Sequence, residues 1–289
     1  MKKNQTMPIL SIITINYNNL DGLKKTLESV INQTWKEFEY IVIDGGSIDG
    51  SADYIESQSK YIDYWVSEPD KGIYNAMNKG INAANGEYLL FLNSGDHFYN
   101  SQVLEQYHSF ANEYDMVFFD EYRVGDNISG VVKFPAEIDF SHMYTSSLSH
   151  SNTYIKKSVF DVVGLYDESL KIVSDWKFCI LALFKYNCSY LKVDGFLSVF
   201  YLDGISFLQD NSKERNQVLN EYFKPFLNDY KELVSNRLEL NKNRSLLNSN
   251  RFKMLKEIEE TRLGKKWVSL FFRVYIVLFS KKKLKEVLK

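Results

Sequence analysis

Four polar residues in the first hundred positions, Asn16, Asp44, Asp70 and Asp96, each end or closely trail an apolar run. Carboxylates gathered in one place suit a metal ion, a sugar or a ribose better than bare phosphate, because they repel an anion unless a cation lies between. The runs cover residues 10–15, 40–43, 64–66 and 88–92 and read as buried parallel strands with helix-like segments between them. In a doubly wound sheet, such positions converge on the crevice beyond the strands' carboxyl ends, where ligands bind. The spacing therefore predicts one cleft lined by several acidic groups.

Three segments carry the detail. Residues 11–18, Ser-Ile-Ile-Thr-Ile-Asn-Tyr-Asn, are a strand opening into a polar loop, with Asn16 and Tyr17 placed to meet a base by backbone contact or stacking. In 41–50, Asp44 ends a strand ahead of Gly45 and Gly46, which let the backbone approach a ligand closely. Ser47 and Asp49 also suit the cap of the next helix, whereas Asp44 shows no local partner to cap, which favours ligand contact. The segment 67–80 is the most specific. It sets Asp70 and Lys71 just ahead of a helix N-terminus, where a nucleotide's phosphates are favoured.

Composition sets the outer bounds. The chain of 289 residues has a net charge of −2 and an apolar share of 45%, ordinary for a globular α/β domain with an appendage. That balance gives no case for a nucleic-acid partner, which calls for a strongly basic face. Cys179 and Cys188 show no metal-ligand spacing, so buried free thiols in a reducing compartment are expected. Residues 1–15 hold two lysines and an apolar stretch, but that stretch is short, contains Pro8 and Thr14 and runs into strand chemistry, unlike a secretion signal. The expected location is the cytoplasm.

Strand and helix signals alternate from 10 to 93, with Leu23, Leu27, Val30 and Ile31, then Ile73, Met77, Gly80, Ile81 and Ala84, at helical spacing. From 97 to about 206 the pattern loosens, with helices expected over 103–111 and 176–186 and strands near 116–119, 131–134, 190–193 and 197–201. That half is expected to complete the sheet and carry the second substrate. Beyond Asp210 the sequence turns charged and helical, so a domain over 1–209 and a helical extension over 210–289 are expected. The extension's apolar run, 267–279, is interrupted by Arg273 and falls short of the roughly 20 residues that span a bilayer. Its aromatics beside the lysines of 281–285 fit a peripheral helix on an anionic membrane; packing on the domain or in a homodimer would use the same face.

Taken in order and spacing, these segments resemble the family 2 inverting glycosyltransferases of the GT-A fold, over about residues 10–206. Two further stretches join them: 86–96, Gly-Glu-Tyr-Leu-Leu-Phe-Leu-Asn-Ser-Gly-Asp, is similar to that family's Asp-x-Asp region, and 173–176, Val-Ser-Asp-Trp, to its Glu-Asp-Trp/Tyr motif. The resemblance implies an α/β fold, a Rossmann-like and mostly parallel sheet flanked by helices. It also implies a nucleotide-sugar donor, usually a uridine diphosphate sugar, with Mn²⁺ or Mg²⁺. On that pattern Asp44 and Asp70 hold the uracil and ribose, Asp96 ligates the metal and Asp175 is the general base. His150 lies where the family often has a His-Gln pair near the sugar and acceptor, and Ser206 stands in a late glycine-serine loop that would close over the diphosphate. Asn93 and Gly95 depart from the pattern by replacing acids near the metal, which leaves Asp96 as the only carboxylate and metal affinity resting mainly on the diphosphate.

The chemistry agrees with those roles. A leaving diphosphate gains negative charge that a bound cation offsets, and a hard oxygen site suits Mg²⁺ or Mn²⁺. The acceptor hydroxyl must lose its proton while attacking the opposite face, so one carboxylate suffices. Asp175, just before an apolar helix, fits that task, although the position also suits a helix cap beside Ser174. A nucleotidyltransferase would need a glycine-rich, basic loop after the first strand, which 16–21 lacks, and no GxGxxG supports a dehydrogenase. The sequence thus reads as an inverting glycosyltransferase acting on a saccharide, expected to be lipid-linked, in bacterial surface polysaccharide synthesis. The alternative is a nucleotide-sugar-binding protein whose metal site has decayed.

Overall fold

The computed structural model describes residues 8–125, 129–202 and 209–279. Two compact units divide the chain, 1–218 and 219–289.

The first unit is built on a seven-stranded sheet. Its strands are β1 (Leu10–Asn16), β2 (Phe38–Asp44), β3 (Tyr64–Ser67), β4 (Tyr88–Phe91), β6 (Met116–Phe119), β9 (Thr153–Lys156) and β10 (Tyr190–Val193), in the order β10-β6-β9-β4-β1-β2-β3. All pairings are parallel except those of β9, which runs antiparallel to both β4 and β6. Every residue of β1 is buried, as expected of a central strand covered on both faces. Helix α1 (Leu20–Ile31) covers one face with Leu23, Leu27 and Val30, at the three- and four-residue spacing of a helical stripe. These pack with Leu10, Ile12, Tyr40, Val42 and Leu90 in the main core. Burying each such side chain stabilises the fold by roughly 1.5–3 kcal/mol.

The later half completes the sheet only in part. While β6, β9 and β10 join it, β5 (His97–Phe98), β7 (Glu121–Val124), β8 (Ser129–Val132) and β11 (Ser198–Tyr201) form a second sheet, in the order β5-β11-β7-β8. Helix α7 (Ser174–Phe184) begins two residues ahead of the expected start, and α8 (Ser212–Tyr222) begins within the first unit.

The second unit is helical: α9 (Lys224–Leu247), α10 (Asn250–Glu259) and α11 (Arg262–Phe279) follow one another. Among the described residues no helix is long and apolar enough to cross a membrane.

Candidate active site

Parallel strands bring their carboxyl ends to one edge, and the first polar cluster sits there. Register places Asn16 beside Asp44 and Asp44 beside Ser67. Asp44 is fully buried. Its carboxylate accepts from Asn16 Nδ2 at 2.7 Å, Ser47 N at 2.9 Å, Ser47 Oγ at 2.6 Å and Ser67 Oγ at 2.6 Å. Burial pushes this carboxyl up, but the bonds from Ser47, Ser67 and Asn16 outweigh it and hold the group below the usual carboxylate range. The expectation that Asp44 lacks a local partner is therefore corrected: Ser47, three residues on, supplies two donors. Asp44 organises the wall behind the cleft.

In front of that wall lies a cavity of about 680 Å³ bordered by Asn16, Tyr17, Gly45, Pro69, Asp70 and Ile73, among others. Tyr17 is exposed, with its ring free to stack on a flat ligand. Asp70 Oδ1 accepts from Gly72 N at 2.8 Å. A Cβ on Gly45 would press on the Asp70 carboxylate and the Tyr17 ring, so glycine lets these two loops meet without displacing either side chain. Lys71 is exposed and is not among the residues bordering this cavity.

A second cavity of about 580 Å³ adjoins the first, sharing Asn19, Ile73, Asn93 and Ser94. Asp96, His150, Asp175, Tyr74, Lys25 and Lys171 also border it. The loop after β4 is shaped by α1, since Thr26 Oγ1 accepts from Gly95 N at 3.0 Å and donates to the Asp96 carbonyl at 2.6 Å. His150 arrives through the reversed strand. Because β9 is antiparallel, its start lies at the edge where the parallel strands end, and His150 opens the single turn, His150–Asn152, that leads into it. Asp175 comes from the first turn of α7, whose lead-in is held by Glu214 accepting from Lys171 N, Ile172 N and Val173 N at 2.9, 3.0 and 3.3 Å.

These side chains form one network. Asn93 Nδ2 lies 2.9 Å from His150 Nε2, His150 Nδ1 lies 3.4 Å from Asp175 Oδ2, and Tyr74 Oη donates to Asp175 Oδ1 at 3.1 Å. In the neutral ring, an amide N–H facing Nε2 makes that nitrogen the acceptor and puts the ring proton on Nδ1, toward Asp175. Burial lowers the imidazole's proton affinity, but the bond to Asp175 and the charges of Asp175, Asp96 and Glu121 together raise it above its ordinary value. The cap of α7 is Val173, which makes no side-chain cap bond, so Asp175 is free of that duty; it accepts from Trp176 N at 2.9 Å.

Of the sequence-predicted residues, Asn16, Tyr17 and Asp70 border the first cavity, Asp96, His150 and Asp175 the second, and Asn93 both. Ser206 lies outside the described residues. The sequence reading missed Tyr74, Lys25, Lys171 and Glu214. Tyr74 sits inside the segment singled out for nucleotide binding, but an aromatic at helical spacing reads as core.

No group of three or more His, Cys, Asp or Glu among the described residues is arranged to hold a metal. Asp96 offers one carboxylate, and Asn93, which borders the same cavity, has a buried Oδ1 without a hydrogen-bond partner among the described residues. Both nitrogens of His150 are engaged. Such a donor set fits a hard divalent cation only if the ligand's phosphates supply most of its oxygens.

Comparison with known proteins identifies the family and the fold. A sequence model described as "Glycosyl transferase family 2" matches residues 11–161, and the chain belongs to that family. An uncharacterized glycosyltransferase of Mycobacterium tuberculosis is 47% identical over 100 residues, 34% of this chain and only 38% of that protein. A PGL/p-HBAD biosynthesis glycosyltransferase of Mycobacterium bovis is 27% identical over 180 residues, covering 60% of this chain and 69% of its own length. Among solved structures, S. aureus TarS 1-349 in complex with UDP-GlcNAc superposes with a TM-score of 0.59 at 20% identity, covering 73% of this chain and 64% of that one. The mannosyltransferase PcManGT of Pyrobaculum calidifontis, in complex with GDP-Man and Mn²⁺, gives 0.57 at 11% identity, over 96% and 89%. These likenesses establish the fold as that of the GT-A glycosyltransferases.

Proposed function

We propose that the chain transfers a sugar from a nucleoside diphosphate sugar, with uracil as the base, to a hydroxyl of a saccharide acceptor, with inversion. The observation that carries this reading is the continuity of the two cavities. Asn16, Tyr17 and Asp70 stand along one and Asp175 along the other, with Asn93 and Ser94 between. The base and ribose would lie in the first, and the diphosphate and sugar would reach into the second. Asp175 takes the proton from the attacking hydroxyl. Lys25 and Lys171 are placed to meet the negative charge of the leaving diphosphate. Mn²⁺ or Mg²⁺, held by Asp96, the Asn93 oxygen and the donor's phosphates, would supply Lewis-acid stabilisation of that same charge.

The acceptor's place is argued from α11. Arg262, Lys265, Lys266 and Arg273 fall within an arc of about 100° at helical periodicity, while Leu263, Trp267, Leu270, Phe271 and Val274 are exposed on another side. The helix has no acidic residue. An apolar face beside a basic one suits the surface of an anionic bilayer, which would bring the protein, in the cytoplasm, to a lipid-linked acceptor. The neighbours differ in nucleotide, UDP-GlcNAc in one and GDP-Man in the other, so calorimetric titration with UDP-GlcNAc and GDP-Man, with and without Mn²⁺, is the deciding experiment. Mn²⁺-strengthened binding of the uridine compound supports the proposal, whereas preference for the guanosine compound overturns the base assignment. Tight binding without release of nucleoside diphosphate, in the presence of acceptor extracts, would favour the non-catalytic binding protein, a reading to which the sparse metal-ligand set lends some weight.

A further inference from the structure

Asp175 is held by three groups of unequal strength. Oδ1 accepts from Tyr74 Oη at 3.1 Å and from Trp176 N at 2.9 Å, whereas Oδ2 has only the longer 3.4 Å contact with His150 Nδ1. Tyr74 is 5% exposed, and its ring is packed against Tyr166 with centroids 5.8 Å apart. It lies in the first turn of α3 (Ile73–Ala83), the helix whose leading residues Gly72 and Ile73 border the first cavity. The same helix grips the loop ahead of α7. Asn78 exchanges bonds with the backbone of Tyr166 at 2.9 and 3.0 Å, and both Asn75 and Asn78 donate to Glu168 at 2.9 Å. One rigid element thus meets the donor side at its N-terminus and the base on its flank.

We propose that Tyr74 is a positioning residue for transfer: its hydroxyl pins Oδ1 of Asp175 and leaves Oδ2 as the oxygen that receives the acceptor's proton. The inference rests on Asp175 being the base. A carboxylate tied at one oxygen keeps the other at a fixed distance and angle, and rotating it away would sacrifice the Tyr74 bond. Misplacement of a reacting group by about 1 Å lowers rates by about a hundredfold. A buried phenol suits the task because burial, reinforced by the Asp175 charge, pushes its ionisation far above the ordinary tyrosine range, so it remains a donor.

Tyr74→Phe keeps the ring and removes only the hydroxyl. With UDP-GlcNAc as the probe and UDP release as the readout, kcat should fall by roughly tenfold or more, the size of a lost bond to a charged group, while donor KM stays within about twofold. An unchanged kcat overturns the role of Tyr74. Turnover that survives Asp175→Asn overturns the base assignment instead. A second readout needs no turnover: protein labelled with 3-fluorotyrosine, with the Tyr74 resonance identified by its loss in Tyr74→Phe, is compared by fluorine NMR with and without Asp175→Asn at one neutral pH. The Tyr74 resonance should shift when Asp175→Asn replaces the charged acceptor of its hydroxyl with a neutral amide. A resonance that is indifferent to Asp175→Asn overturns the proposal whether or not UDP-GlcNAc is turned over.

Discussion

The Asp175 carboxylate and the His150 ring depend on each other, and that dependence has a measurable sign. The imidazole is raised in the folded state, so its pairing contributes stability that is fully present below about pH 6.5 and lost as pH rises through the folded value. Asp175→Asn should therefore cost more stability at about pH 6 than at about pH 9 in urea unfolding; an equal cost at both would mean that the two groups are not coupled. The same substitution should lower transfer by about 10² to 10⁴, the usual worth of a general base, while UDP binding measured by calorimetry stays intact. Asp175 and Asp96 stood out in the sequence through the family resemblance, and both border the second cavity, whereas the helix-start position of Asp175 taken alone suited a cap equally well. The Asn93 contact with His150 was not legible, because it joins residues 57 positions apart and depends on how β9 enters the sheet. Asp44 misled for a related reason: its partner Ser47 was read as a helix cap, whereas the loop folds Ser47 back onto it.

Among the elements, α3 shows how closely helix and sheet approach. A Cβ on Gly80 would stand 2.5 Å from Ile13 Cγ2, in the middle of β1. Gly80→Val should destabilise the protein by about 1–3 kcal/mol through overpacking, read as a lower urea midpoint with an unchanged slope; no shift would mean that Ile13 moves aside freely. Glu214 acts at longer range, its carboxylate gathering three backbone N–H groups ahead of α7. Glu214→Ala should lower kcat more than it raises donor KM, because it loosens the lead-in to Asp175 without touching the first cavity; the reverse pattern would argue that the loop serves the donor. The four early strands were legible because long apolar runs between polar breaks have few other solutions. The second sheet was not: β5, β7, β8 and β11 are short, and their pairing is decided by contacts far apart in sequence. The expected boundary at 210 falls ahead of Glu214 and Arg215, residues of the first unit whose charge made them look like the start of the extension.

For the molecule as a whole, the helical unit makes a prediction about location. Lys265→Glu with Lys266→Glu should weaken binding to phosphatidylserine vesicles by roughly thirtyfold or more, since each basic residue near the surface contributes about 1 kcal/mol. Unchanged sedimentation with vesicles at low salt would remove the bilayer from the account and leave the apolar face of α11 to a protein partner. The basic arc and apolar stripe were visible as composition in the sequence, but their placement on neighbouring sides became definite only once 262–279 proved to be one unbroken helix. A different consequence follows from α3, which borders the first cavity at Ile73 and holds Asp175 through Tyr74. Chimeras that join the donor-binding half of one family member to the acceptor-binding half of another are a natural way to alter product linkage. In this chain a crossover between residues 74 and 78 would separate Tyr74 from Asn78, which grips the loop before α7. Recombination should respect α3 as a single inherited block, together with the Tyr166–Glu168 loop it holds.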